Sequence, residues 1–176
     1  MSNNELLEIV DEQDNVVGIE TREKIHQQGL LHREIHIWVT NEKGEILFQR
    51  RSPTKDTYHN LLDASVGGHV EPGMTYEATA VREMQEELGL LVDINNLHFV
   101  RKARAKGIDK STGKTNNTFR KIFIYKLQPG DTLVLEKGKA TALEFWSMMQ
   151  LHNLTEDQKQ QFISTPLKDA LEIFSQ

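Results

Sequence analysis

Three glutamates, Glu83, Glu86 and Glu87, fall at the end of a stretch whose local signals all point to one helix. The stretch predicts a helix from about Thr75 to Leu88, closed by Gly89. At about 100° per residue, with Glu83 set at zero, Glu86 falls near 300° and Glu87 near 40°, so the three carboxylates share an arc of roughly 100°. Met74, Ala78, Val81, Met84 and Leu88 fall at about 100–220°, which predicts one packed face and one anionic face. Like charges at these spacings repel by about 0.2–0.5 kcal/mol per pair in an isolated helix, and the dipole at the helix C-terminus adds to the cost. A solvated acidic face is the ordinary outcome of such a pattern. A hard divalent cation, Mg²⁺ or Mn²⁺, would offset the repulsion, because it takes carboxylate oxygens and keeps its other positions for water or substrate phosphate. The Gly67-Gly68 loop leading into the helix, and Arg82 inside the acidic run, favour the cation.

The rest of the chain bounds the setting. With 176 residues there is room for one domain with a substantial core. A net charge of −5 gives no bulk attraction to nucleic acid or anionic membrane, and the absence of cysteine removes disulfides, thiolate metal sites and cysteine nucleophiles. No apolar stretch reaches membrane-spanning length and the polar, acidic start is unlike a signal peptide, so a cytoplasmic protein is expected. Hairpins are predicted over about 5–21, with a turn at Asp11 to Asn15, over "EIHIWVTNEKGEILFQRRS", and from "LHFVRKARA" to "TFRKIFIYKL". A short helix is expected from Thr21 to Gly29 and a strand at "ALEFWSM". Two helices are expected over about 155–175, the first opened by a Thr155/Gln158 capping box and the second restarted at Thr165-Pro166. The segments "SPTKDTYHNLLDASVGGHVEPG" and "KGIDKSTGKTNN" read as loops. Strands interrupted by one long helix and followed by helices predict a mixed sheet between helices.

Gly68, Arg82, Glu83, Met84, Glu86, Glu87, Gly89 and Leu90 match the Nudix hydrolase signature, Gly-x5-Glu-x7-Arg-Glu-U-x-Glu-Glu-x-Gly-U with U aliphatic, at eight of its nine fixed positions. Outside that box, "GLLHREIHIWV", "ILFQRRSPTKDT" and "LLDASVGGHVEPG" resemble the branch grouped with isopentenyl-diphosphate isomerase. The resemblance covers about residues 5–150 and implies an α/β/α sandwich with a mixed β-sheet, an N-terminal hairpin and a single Nudix domain across 1–176. It also implies hydrolysis of a small-molecule diphosphate, a nucleoside diphosphate derivative or related X-diphosphate, by water attack at phosphorus with Mg²⁺ or Mn²⁺. Carried over, Glu83, Glu86 and Glu87 are metal ligands, the Gly67 carbonyl is a further one, and Glu83 or Glu87 is the base. Arg82 orients the carboxylates. The ninth position holds Met74 in place of glutamate. In the family that acid pairs mainly with the box arginine, so its loss implies weaker loop order and lower turnover, not abolition, with Glu71 as a substitute partner for Arg82.

Other residues carry weaker expectations. Glu144, before Phe145-Trp146, lies where many relatives place a further acid and is a candidate metal ligand; Glu136 is a lesser one. Arg51 and Lys55 are candidate phosphate contacts, Arg50 less so, and His69 is a loop residue beside the substrate. The run Arg101, Lys102, Arg104, Lys106, Lys110, Lys114, Arg120 and Lys121 reads as an anion-attracting segment. It is the only support for a nucleic-acid-directed, cap-removing member, because no aromatic-interleaved RNA-binding pattern accompanies it. The isomerase builds a metal site from histidines near these regions, which makes His32 and His69 suggestive. Its chemistry also relies on a cysteine, and here Gly67 takes that place. A binding module without turnover is a further alternative. A homodimer is common among relatives, and loops at Asp56 to Asp63 and Lys106 to Asn117 are expected to set selectivity.

Overall fold

The computed structural model describes residues 5–55 and 57–175; Asp56, at the head of one expected selectivity loop, lies outside them. The chain opens with a two-stranded antiparallel ribbon, β1 (Leu6–Val10) and β2 (Val16–Thr21). Helix α1 (Arg22–Gln28) follows, with the Thr21 side chain accepting from the Lys24 N–H and Gly29 closing it at φ 64°. Next come β3 (His32–Thr40), β4 (Ile46–Arg51), β5 (Leu62–Asp63) and β6 (Val66–His69). Helix α2 (Tyr76–Leu88) is capped by Thr75, whose side chain accepts from the Ala78 N–H, and ends at Gly89, φ 69°. The long ribbon β7 (His98–Ile108) and β8 (Thr115–Lys126) leads to β9 (Ala140–Trp146), and α3 (Met148–His152), α4 (Glu156–Lys159) and α5 (Ser164–Phe174) close the chain.

The main sheet runs β5-β4-β3-β8-β7, with β6 on β3 and β9 on β4. β3 and β8 are parallel and the other pairs antiparallel, so the sheet is mixed, as expected. Alternation along β3 divides the core. Ile35, Ile37 and Val39 pack with Leu47, Val66 and Phe123 against Ala80, Met84 and Leu88 of α2. Trp38 faces the other way with Ile46, Phe48 and Ile122, against Leu151 and Leu167 of the C-terminal helices and Leu154 and Phe162 of the links between them. These are the two helical layers of a sandwich.

Three expectations need correction. The loop before α2 contains strands: Gly67 and Gly68 sit in β6, paired with His36 and Ile35 of β3. Glycine hides the alternation that marks a strand, yet the ladder still satisfies its backbone. The loop expected at Lys106 to Asn117 shrinks to the turn after Ile108, because β7 and β8 extend into it. The tail holds three helices, the capping box at Thr155 opening only a single turn.

Candidate active site

Helix α2 lies against β6, and the contact is possible only because β6 carries glycine at its end. A Cβ built on Gly68 would stand 2.5 Å from Oε1 and 2.6 Å from Cγ of Glu83, so the missing side chain is the space that Glu83 fills. The acidic arc is therefore not a solvent face. Glu83 and Glu87 are 3% and 2% exposed, whereas Glu86 is exposed, and Ala78, expected on the packed side, is exposed as well. Helical spacing correctly groups the acids but does not say which arc a glycine-lined strand can accept.

The oxygens of the two buried acids are each committed. Glu87 Oε2 accepts from Gln49 Nε2 at 2.8 Å and from the Gly67 N–H at 3.3 Å. Glu83 Oε1 accepts from Arg82 Nη2 at 2.8 Å. The remaining two, Glu83 Oε2 and Glu87 Oε1, converge on the Lys139 ammonium at 3.3 and 2.9 Å, with Glu136 Oε2 at 3.2 Å. Lys139 is 8% exposed. The segment before it runs along the end of α2, where the Val134 and Glu136 N–H groups donate to the Leu88 and Glu87 carbonyls. Sequence reasoning did not single this lysine out: "LEKGKA" has no periodicity that would mark it.

Arg82 binds all the acids around it. Beyond Glu83 it holds Glu86 Oε2 at 2.8 Å and Glu71 Oε1 at 3.3 Å. Glu71 is thus a partner of Arg82, the pairing expected where Met74 takes the place of an acid. Met74 itself packs, partly buried, against the α2-side core. Met74→Glu is accordingly expected to change turnover by less than about threefold while costing on the order of 1 kcal/mol of stability, measured by steady-state rates and urea denaturation. A gain of tenfold or more would identify Met74 as a true defect.

Burial, and then the charge of Glu87, push the Glu83 carboxyl up to about 7, with Lys139 and Arg82 acting the other way. The same carboxylates hold Lys139 protonated above its usual range against the effect of its burial. The folded chain thus binds the Glu83 proton more tightly than the unfolded chain. The resulting cost is absent below about pH 4.5, grows between 4.5 and 7, and is complete above. A shift of that size corresponds to on the order of 3 kcal/mol. Glu83→Gln does not titrate. In metal-free buffer its stability relative to wild type should rise from about pH 5 to about pH 8, and a flat difference would contradict the shift.

Glu87, Gly67 and Gly68 form one end of a cleft of about 970 Å³, including its open mouth, whose walls carry Arg22, Arg51, Lys55, Lys114 and Lys139. Arg51 is fixed by Asp63 Oδ2 at 2.9 Å and the Thr57 carbonyl at 3.0 Å. Burial, then the charges of Arg51 and Lys139, lower Lys55 to about 8, with Glu87 acting the other way. His69 also faces the cleft. It forms a cluster with His26 and His32, ring centroids 5.0–5.3 Å apart and ligand atoms within 4.8 Å, an arrangement able to hold a metal ion. Burial, then Arg22, hold His69 well below its usual value, in the neutral form that ligates metals. His26 was not anticipated; a single histidine in the last turn of a short helix carries no signal of its own.

One expected contributor lies elsewhere, and another, though Lys114 and Arg120 reach the cleft, is mostly ion-paired. Glu144 lies opposite Phe48 in the β4–β9 ladder, on the face turned from Gln49 and Glu87, and pairs with Arg50 at 2.7 Å. Strand parity removes it from the trio. The basic run is largely neutralised: Arg101 pairs with Asp169 and Glu172, Lys102 with Asp14, Arg104 with Glu12, Lys121 with Glu77, and Arg120 with Glu34 and Asp169.

Oxygen donors alone, two of them buried and one beside a glycine-shaped recess, suit Mg²⁺ or Mn²⁺. The NUDIX domain pattern matches residues 30–166. The chain is 38% identical over 96 residues to an uncharacterized Nudix hydrolase of Clostridium acetobutylicum, covering 53% of this chain and 46% of that protein. It is 36% identical over 93 residues to an isopentenyl-diphosphate Delta-isomerase of Serratia proteamaculans, covering 53% and 52%. It spans about half the length of the curated relatives it matches. The crystal structure of DR0079 from Deinococcus radiodurans superposes with a TM-score of 0.63 at 29% identity, covering 84% of this chain and 86% of that one. An Ap4A hydrolase complex from C. elegans shares the fold at TM-score 0.54 and 17% identity, covering 81% and 94%. The sandwich, the box on α2 and the match over residues 30–166 agree: the chain belongs to the NUDIX domain family.

Proposed function

We propose that this chain is a cytoplasmic Mg²⁺- or Mn²⁺-dependent hydrolase that cleaves the diphosphate linkage of a nucleoside diphosphate derivative or related X-diphosphate. The observation that carries this reading is the pair of buried carboxylates, Glu87 lining a cleft that also carries Arg51, Lys55 and Lys139, and Glu83 joined to it through Lys139. Bound divalent ions would neutralise the diphosphate oxygens and lower the pKa of the attacking water. Glu83, Glu86 and Glu87, with the Gly67 carbonyl, would hold them. Glu83 or Glu87 takes the proton as the water oxygen bonds to phosphorus and the anhydride P–O bond breaks, the bridging oxygen leaving with the other phosphate. Arg82 keeps Glu83 and Glu86 in place, while Arg51 and Lys55 receive phosphate oxygens and His69 contacts the substrate beside them.

The paired state of the basic run weakens the RNA-directed alternative. Isomerase chemistry lacks its cysteine, since Gly67 stands at that place and the sequence has none. A phosphate-release screen over diphosphate metabolites, with and without Mg²⁺, tests the proposal. Metal-dependent release supports it. Binding without turnover would favour a sensor module, and release from capped RNA alone would favour the nucleic-acid reading.

A further inference from the structure

Lys139 has no counterpart in the box, yet its ammonium lies where the free oxygens of Glu83 and Glu87 converge. Glu83 Oε1 is engaged by Arg82, and Glu87 Oε2 by Gln49 and Gly67. A divalent ion ligated by both carboxylates through these two oxygens would therefore compete with Lys139 for them. The ammonium is well supported there: Glu136 flanks it, its own N–H approaches the Glu136 carbonyl at 3.4 Å, and its carbonyl accepts from the Ser52 N–H at 3.0 Å. Only the side chain need move, and it already lines the cleft beside Arg51 and Lys55.

We propose that Lys139 is a built-in competitor for the divalent ion, neutralising Glu83 and Glu87 in the metal-free protein and yielding their oxygens when the ion binds. This regulation rests on the hydrolase reading above. Without Lys139 the two buried anions would lose the cation they share, and the fold would be less stable before metal arrives. With it, the ion must displace a like charge, so affinity in the absence of substrate is held down.

The test is Mn²⁺ binding to the substrate-free protein, read from the EPR signal of free Mn²⁺, for wild type, Lys139→Met and Lys139→Gln. Both variants should bind about tenfold more tightly or better. They should also melt at lower temperature without metal and gain more from it. Affinity equal to or weaker than wild type overturns the proposal while leaving the hydrolase reading intact. Absence of Mn²⁺ binding in wild type and variants alike overturns both. A second measurement on unaltered protein guards against misfolded variants: acetic anhydride labelling followed by mass spectrometry. Mn²⁺ should raise modification of Lys139 by about threefold or more relative to exposed Lys24, as expected when a side chain leaves a buried ion pair. Unchanged labelling at saturating Mn²⁺ overturns the proposal.

Discussion

Replacing Glu87 with glutamine is expected to lower metal-dependent diphosphate turnover by about a thousandfold or more, roughly 4 kcal/mol of transition-state stabilisation. Glu87 is the most constrained acid of the trio, with one oxygen held by Gln49 and the Gly67 backbone and the other by Lys139. Glutamine keeps the shape and one acceptor but removes the negative charge that a divalent ion needs. The fold should survive. Losing one of two crowded, buried carboxylates relieves repulsion, so the melting temperature without metal should stay level or rise. Rates at saturating Mg²⁺, with circular dichroism as the check on folding, measure this. Turnover within tenfold of wild type would remove Glu87 from the chemistry.

Gly68→Ala has the second-largest expected effect, and it acts through Glu83. The new methyl would stand 2.5 Å from Glu83 Oε1, too close for any real contact. The surrounding atoms are a ladder strand and a packed helix, so Glu83 must leave its recess and with it Arg82 and Lys139. Turnover should fall by about a hundredfold or more, with a stability cost on the order of 1–3 kcal/mol from overpacking. Gly67→Ala supplies the contrast, because the nearest atoms to its methyl, the His36 ring at 3.5 Å and the Ile35 carbonyl oxygen at 3.9 Å, lie at ordinary distances, and it should cost far less. Equal losses at the two glycines would show that Gly68 matters for its backbone and not for the space it leaves.

The sequence made some of this legible because local chemistry decided it. Thr75 and Gly89 bound α2 through a side-chain cap and a left-handed residue, and Thr21 and Gly29 do the same for α1. The grouping of Glu83, Glu86 and Glu87 follows from helical spacing, and the role of Glu71 follows from the gap that Met74 leaves beside Arg82. What escaped depends on contacts between distant segments. The burial of Glu83 and Glu87 requires knowing that a glycine strand packs on their arc. Glu144 fails because one residue of strand parity sends it to the opposite face. Lys139 and His26 reach the cleft from 50 or more positions along the chain, or from another element, and neither stretch carries a pattern of its own. The basic run looked open because its partners, Asp14, Glu12, Glu77 and Asp169, come from other parts of the fold.

Anomalous diffraction from crystals equilibrated with Mn²⁺ tests the metal assignment most directly. A peak at Glu83 Oε2 and Glu87 Oε1, with the Lys139 ammonium moved aside, is the expected result. An empty recess at saturating Mn²⁺, with Lys139 still seated between the two carboxylates, would contradict it.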